Sequence, residues 1–303
     1  MAGLKQIKSK IRSVEKTQTV THAMEAVSAA KMRKAQNAAL AGRSYARAAV
    51  AILSRVSGSA GMKDHALTRV SLPARALYIV ITSDKGLAGG LNSAVLRRVQ
   101  TDIKDMDLDA SQVSVVAIGR KAQDFFTNRG FAVEAYHPNT TELSSEMLQQ
   151  IVQEAAHRFA YGAVDIVKIA YQNFVSTFEQ RPTVRTVFPL SLTELAQVVG
   201  DITPVRGTFV QAEPASSPLY TVEPSEEEVF SFLLPRLSSI FVYHALLESQ
   251  ASEHSARMVA MKSASDKAEE LEHALTLKFN KARQAAITRE VSEITGGMEA
   301  MAS

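Results

Sequence analysis

Two spacings divide this chain. At both ends apolar and small residues recur every three or four positions, and in the middle they gather in short unbroken runs. Leu4, Ile7, Ile11 and Val14 open a heptad-like seam. The seam then turns small and polar through Gln18, Thr21, Ala23, Val27 and Ala30. The alanine-rich stretch Ala35–Ala51 favours helix and keeps it thin, and Gly58, Ser59 and Gly61 end it. The spacing therefore predicts one helix over 3–57. A second seam runs Leu237, Phe241, His244, Leu247, Ala251, His254, Met258, Met261, Ser265, Ala268, Leu271, Leu275. Its mean step is about 3.5, the period of a left-handed coiled coil. It predicts a helix over residues ~235–296, about 90 Å long, stopped by Gly296 and Gly297. Pro224-Ser225-Glu226-Glu227-Glu228 reads as a helix start with acids in the first turn. Pro235 either kinks this helix or begins a new one.

The middle of the chain changes period. Ala76–Thr82 is an apolar, β-branched run that reads as a buried strand, followed by the Gly-rich turn Ser83–Asn92. Further strands are predicted at Val113–Ile118, Phe131–Tyr136, Asp165–Asn173 and Thr183–Leu190, the last two forming a hairpin through Phe174–Pro182. Helices are predicted at Ser93–Met106, Arg120–Asn128 (stopped by Gly130) and Ser144–Tyr161, with Ser144 or Ser145 as N-cap and Gly162 as its stop. Strands and helices alternating at this spacing imply a parallel or mixed sheet covered on both faces.

The terminal seams carry His, Ser and Ala among the apolar residues, too little bulk for a strong zipper. They suit a heteromeric or an intramolecular antiparallel pair better than a parallel dimer, with the middle segment as the turnaround. The expected fold is α/β: a long antiparallel coiled coil of the N- and C-terminal helices plus a Rossmann-like domain of about five strands. The expected organisation is an N-terminal helix over 1–58, the α/β domain over 74–190, an irregular Pro-marked linker over 191–223 and a C-terminal helix over 224–303.

Composition narrows the function classes. Hydrophobic content of 46% is that of a folded protein, and the absence of cysteine excludes disulfides and thiolate metal sites. No apolar run approaches the ~18 residues of a membrane span, and the start lacks the apolar core of a secretory signal. The expectation is a soluble protein of a reducing compartment. The net charge of +3 is unevenly spread: residues 1–57 carry a net +9. Such a basic helix suits nucleic acid, an anionic membrane surface, an acidic protein surface or plain solvation.

No catalytic constellation stands out. Gly86-Leu87-Ala88-Gly89-Gly90-Leu91-Asn92 lies between strand and helix, where phosphate loops lie, but has neither G-x-G-x-x-G nor the Lys-Ser/Thr of a Walker loop. A tight structural turn at Gly86, Gly89 and Gly90 is the stronger reading. His244 and His254 are ten residues apart on one seam, not at metal-ligand spacing, and read as packed histidines. No nucleophile elbow is present. Lys31, Arg33 and Lys34 form a basic cluster without the fork or interleaved aromatics of nucleic-acid readers. Catalytic, cofactor and metal residues are therefore expected to be absent. Asn280–Glu290 packs many hydrogen-bonding side chains onto about three turns, more than one helical partner would use.

Three motifs carry a resemblance. They are Thr21–Gln36 (THAMEAVSAAKMRKAQ), Ser83–Asn92 (SDKGLAGGLN), and Ala251–Met258 (ASEHSARM) continuing to Asn280–Thr288 (NKARQAAIT) and Ile294. With these motifs the chain strongly resembles the γ-subunit family of F-type ATP synthases over nearly its full length. It departs at Ala88, often Cys in the family, and at His22, often Lys. The resemblance implies a non-catalytic central-stalk rotor. One copy per complex would stand inside an α3β3 hexamer and join the ε subunit and the c-ring. It would couple proton flow to cycling of the catalytic β subunits. The implied β-subunit contacts are Met24, Lys31, Arg33, Lys34, Arg283, Gln284 and Thr288, and Tyr220 and Glu223 fall on the foot, facing the c-ring and ε. The weakly charged Ile287–Met301 stretch would be a tip turning in an apolar sleeve. No cofactor and no nucleic acid are implied. The implied location is the cytoplasmic face of a bacterial inner membrane, held peripherally through the c-ring, or an organelle if a transit peptide has been removed. Two other readings remain at this point: a nucleotide-binding α/β enzyme with helical extensions, and a coiled-coil scaffold.

Overall fold

The computed structural model describes residues 2–41, 65–139, 145–191 and 225–302. The expected helix end at Gly58–Gly61, the cap Ser144, and the linker with Tyr220 and Glu223 lie outside these residues. The chain divides into two compact units, Met1–Ala30 with Arg257–Ser303, and Lys31–Ala256.

The larger unit is built on one five-stranded sheet in the order β3-β2-β1-β4-β5. Its strands are β1 (Ala76–Ile81), β2 (Val113–Ile118), β3 (Ala132–His137), β4 (Ile166–Phe174) and β5 (Gln180–Phe188). β1 to β4 run parallel and β5 is antiparallel to β4. β1 is central and every residue of it is buried, which is why it reads as an unbroken apolar run. Its side chains alternate between two cores. Leu77, Ile79 and Ile81 face Leu148, Val152 and Phe159 of helix α4 (Ser145–Ala160) together with Phe230, Leu234, Phe241 and Val242 of helix α5 (Glu226–Ala302). Tyr78 and Val80 face Val95, Val99 and Ile103 of helix α2 (Leu91–Asp105) and Phe126 of helix α3 (Arg120–Thr127). Each such fully buried side chain contributes about 1.5–3 kcal/mol.

β5 starts at Gln180, earlier than the predicted Thr183, and so includes Pro182. Pro is tolerated there because β5 is an edge strand. α5 starts where expected: the Ser225 hydroxyl accepts the Glu228 N–H at 3.3 Å. It continues unbroken through Pro235 and also through Gly296 and Gly297, which do not stop it. Glycine weakens a helix interior by about 1 kcal/mol without forbidding it. One 18-residue window of α5 is long and apolar enough to cross a bilayer by length and composition, contrary to expectation. Half of that window is buried inside the structure, as in a core helix.

The smaller unit pairs the first part of helix α1 (Ala2–Ala41) with the last part of α5. The shielded positions of this part of α1 are Leu4, Ile7, Ile11, Val14, Gln18, Thr21, Glu25 and Ser28, an unbroken 3-4 alternation, with Met24 and Ala29 half-buried beside it. Ala23, Val27 and Ala30, expected on the seam, are exposed. The strict period passes over them and selects Glu25 and Ser28. On α5 the shielded positions run Met261, Ser265, Ala268, Glu272, Leu275, Phe279, Ala282 and Ala286. Leu271, also expected there, is half exposed, and Glu272 takes its place. α1 runs toward the Ala30–Arg257 boundary and α5 runs away from it, so the pair is antiparallel.

Candidate functional site

Polar residues line much of the α1 seam, and the helix itself satisfies the two buried hydroxyls among them. Thr21 Oγ1 donates to Thr17 O and Gln18 O at 3.0 Å, and Ser28 Oγ donates to Met24 O at 2.7 Å. A hydroxyl bonded to its own preceding turn needs no cross-helix partner. Small, self-satisfied residues leave the later part of this seam without a bulky core. Outside the seam the α1 surface is exposed, including Lys31, Arg33 and Lys34 farther along the helix. Met24 is half-buried at the seam edge.

Arg283, Gln284 and Thr288 are exposed on α5. Gln284 and Thr288 lie one turn apart, and Thr288 Oγ1 donates to Gln284 O at 3.0 Å. Met24 does not cluster with them. Twenty positions separate it from Leu4, where α1 shielding starts, or about 30 Å of helix. The shielding of α5 ends at Ala286, and every residue from Ile287 to Thr295 is exposed. Ile287, Val291, Ile294 and Met298 nevertheless keep the 4-3-4 spacing of a buried stripe.

The Gly-rich turn follows β1 at the carboxyl end of the sheet. β2 and β4 lie on either side of β1 there, the usual ligand crevice of an open α/β sheet. The turn's polar groups bond to one another and to the neighbouring strand ends. Asn92 Oδ1 accepts Ser83 N–H at 3.0 Å, Asn92 Nδ2 donates to Ser83 Oγ at 2.7 Å, and Ser83 Oγ donates to Lys85 O at 2.6 Å. Asp84 Oδ1 accepts the Arg120 N–H at 2.9 Å and the Tyr136 hydroxyl. Gly89 takes a left-handed φ of +59°, and so does Leu87 at 64°. A Cβ on Gly86, Gly89 or Gly90 would meet nothing within 4 Å. A concavity of about 780 Å³ lies elsewhere, between α4 and the start of α5, and is lined by His65, His157, Phe232 and Arg236 among others.

Three further features of the α/β unit join segments distant in sequence. Gly119 has φ +100°, and a Cβ there would lie 2.1 Å from Thr82 O. Beneath α2, Asp102 accepts the Tyr78 hydroxyl at 2.6 Å and pairs with Lys168 Nζ at 2.7 Å. Burial first, and then the Asp102 carboxylate, push the Tyr78 phenol far above its ordinary value. Finally, Gln172 Nε2 donates to Leu91 O at 2.8 Å, while Ser252 Oγ of α5 donates to Gln172 O at 3.2 Å. His244 is buried with Nδ1 3.6 Å from Glu248, and His254 is half-buried. Among the described residues no group of three or more His, Asp or Glu is placed to hold a metal.

Comparison with known proteins gives one answer. A family profile described as ATP synthase matches residues 3–301. The ATP synthase gamma chain of Heliobacterium modesticaldum is 40% identical over 302 residues, covering 99% of this chain and 100% of the relative. The gamma chain of Pelotomaculum thermopropionicum is 37% identical over the same coverage. Among solved structures, the fold resembles a chain in the Tetrahymena thermophila mitochondrial ATP synthase central stalk and c-ring (TM-score 0.60, 22% identity, 81% of this chain and 99% of that one). It also resembles a chain in the Euglena gracilis mitochondrial ATP synthase (TM-score 0.64, 18% identity, 99% and 95% covered). An α/β sheet domain, a terminal helix pair and a match running through both ends and the middle place the chain in the ATP synthase γ-chain family.

Proposed function

We propose that this chain is the central-stalk rotor of an F-type ATP synthase, coupling proton flow through a c-ring to the conformational cycle of catalytic β subunits in an α3β3 hexamer. The γ chain is a non-catalytic subunit of its complex. Its work is to carry a coupling free energy between distant sites through a stiff element that favours different partner states. One observation carries the reading. α5 runs past the end of its shielding, yet keeps an apolar residue on each turn at Ile287, Val291, Ile294 and Met298. A stripe of that kind without a partner among the described residues fits a sleeve supplied by other subunits.

In this reading Lys31, Arg33 and Lys34 face an acidic β-subunit loop, with Met24 beside it. Exposed pairs of this kind contribute about 0–1 kcal/mol each, enough to bias a rotor angle without locking it. Arg283, Gln284 and Thr288 offer polar contacts to the β subunits near the tip. Gly86, Gly89 and Gly90 shape a structural turn. Tyr220 and Glu223 belong to the foot, toward ε and the c-ring. One copy per complex is held peripherally at the cytoplasmic face of the bacterial inner membrane through the c-ring, with no cofactor and no nucleic acid.

The test is purification from cells through a tag on this chain, with ATPase and ATP-driven proton pumping measured on the recovered complex. Recovery of three α, three β and ε per copy, and loss of pumping on truncation before Thr288, is the expected result. Recovery of this chain alone with bound nucleotide refutes the rotor and favours an α/β enzyme. Recovery as a homodimer favours a scaffold.

A further inference from the structure

The contact between α5 and the sheet changes character along the helix. From Phe230 to Leu246 it is apolar, through Leu234, Leu237, Phe241, Val242 and Ala245. From Gln250 to Ser255 it becomes directional. Gln250 Nε2 donates to Asn139 Oδ1 at 3.0 Å, and Asn139 Nδ2 donates in turn to Thr82 O at 2.7 Å. Ser252 Oγ donates to Gln172 O at 3.2 Å, and Ser255 Oγ donates to Thr177 O at 2.6 Å. These three ties reach the ends of β3 and β4 and the β4–β5 turn. Ser252 and Gln172 are buried, so water does not compete for the bond between them, and the other two ties are part-buried.

One fact shows why the strand end takes a donor from the helix. Gln172 lies beyond Ala170, the last β4 residue in register with β1. The serines also depart from the usual habit of buried helical hydroxyls. Ser238 and Ser239, two turns or more earlier, donate to Leu234 O and Pro235 O of their own helix. Ser252 and Ser255 donate outward instead.

We infer that Gln250, Ser252 and Ser255 form a clasp that fixes the rotational and axial register of α5 on the sheet, so that torque on the α/β domain turns the helix without slip. The inference rests on the proposed rotor function. Apolar packing is non-directional and tolerates small rotations, whereas hydrogen bonds weaken steeply with misalignment. A rotation of α5 by one residue position, about 100°, would strand all three donors and their acceptors together. The three residues are positioning residues, acting on partner subunits only through the helix.

The test measures torsional stiffness in the assembled complex. Because the chain has no cysteine, Lys104→Cys on the exposed side of α2 gives a single attachment point for a bead. The complex is paused with a non-hydrolysable ATP analogue, and the angular spread of the bead is recorded. Gln250→Leu with Ser252→Ala, and Ser255→Ala alone, are compared with Val99→Ala, a core truncation on the opposite face of the sheet. The clasp variants are expected to widen the angular variance, by up to about threefold for the double variant, which leaves one of three parallel ties. Val99→Ala is expected to leave it unchanged. Unchanged variance in the clasp variants overturns the inference, and so does an equal widening in Val99→Ala. A failure of the rotor reading itself shows separately, as an unaltered chain whose bead never rotates under ATP.

Discussion

Replacing Gly119 by alanine sets a methyl group into the backbone of the neighbouring strand end. The built Cβ lies 2.1 Å from Thr82 O, 2.6 Å from Thr82 C and 2.8 Å from Thr82 Oγ1. Thr82 is poorly placed to retreat. Its N–H donates to Ile118 O at 2.8 Å, its carbonyl accepts from Asn139 at 2.7 Å, and its hydroxyl accepts the Ala122 N–H at 2.9 Å. The φ of +100° adds backbone strain of about 1–3 kcal/mol for any L side chain. Overpacking against a fixed neighbour adds about 1–3 kcal/mol more. Gly119→Ala should therefore destabilise the α/β unit by about 4 kcal/mol. Gly130 supplies the internal control: its φ is +76°, but a Cβ there meets nothing within 4 Å. Gly130→Ala carries only the strain of a left-handed residue, about 1–2 kcal/mol. For a unit of this size about 1 kcal/mol moves Tm by roughly 3 °C. Calorimetry should show Gly119→Ala melting about 12 °C below the unaltered chain and Gly130→Ala about 3–6 °C below it. Equal shifts for the two variants would refute the steric argument and leave strain alone as the cost.

Other measurements reach the remaining features. Asp102→Ala leaves Lys168 and Tyr78 without their shared partner and should lower stability by about 3 kcal/mol in urea unfolding, with Asp102→Leu/Lys168→Met recovering over half of it; no recovery would argue against a buried-pair origin. His65 Nδ1 accepts the Leu67 N–H at 3.1 Å, and burial, partly offset by Glu227, holds its pKa below the ordinary value. The folded state thus binds fewer protons than the unfolded one. Stability is full above the unfolded pKa of about 6.5 and falls as pH drops through it toward the folded value. His65→Asn, which keeps a capping acceptor but does not titrate, should flatten part of that fall in a Tm-against-pH series. His137, lowered by burial in the same direction, supplies another part, and a His65→Asn curve parallel to the unaltered one would sink the assignment. Met24→Lys adds a cation beside the proposed acidic β loop and should lower the protons pumped per ATP hydrolysed; an unchanged ratio would move Met24 away from that loop.

The sequence revealed the sheet better than the seams. All five strands and three helices of the α/β domain announce themselves through apolar runs and glycine stops, because burial on both sheet faces leaves a strong local pattern. Pro182 hid the start of β5, since a proline there is admissible only once the strand is known to be an edge. On α1, following apolar residues led to Ala23, Val27 and Ala30, whereas following the period leads to Glu25 and Ser28. In a thin helix pair the spacing carries more information than the chemistry. The exposed basic residues and the apolar tip were readable one residue at a time. Gly119 and the tie between Gln172 and Ser252 were not, because each depends on segments that meet only in the folded chain. The one faint signal was a hydroxyl at Ser249, Ser252 and Ser255, every third residue along this part of the helix.

The helix pair joins Met1–Ala30 with Arg257–Ser303, segments separated in sequence by the α/β unit. In folding terms these are the most non-local contacts the molecule makes, and their loop-closure cost is smallest after the intervening segment has become compact. During synthesis α1 emerges well before its partner. The nascent chain therefore holds a half-formed seam of Leu4, Ile7, Ile11 and Val14 in water until the end of α5 has been made. The small and self-bonded residues that follow them expose little apolar surface during that wait. The small residues of the seam thus help to keep an orphaned helix soluble until its mate arrives.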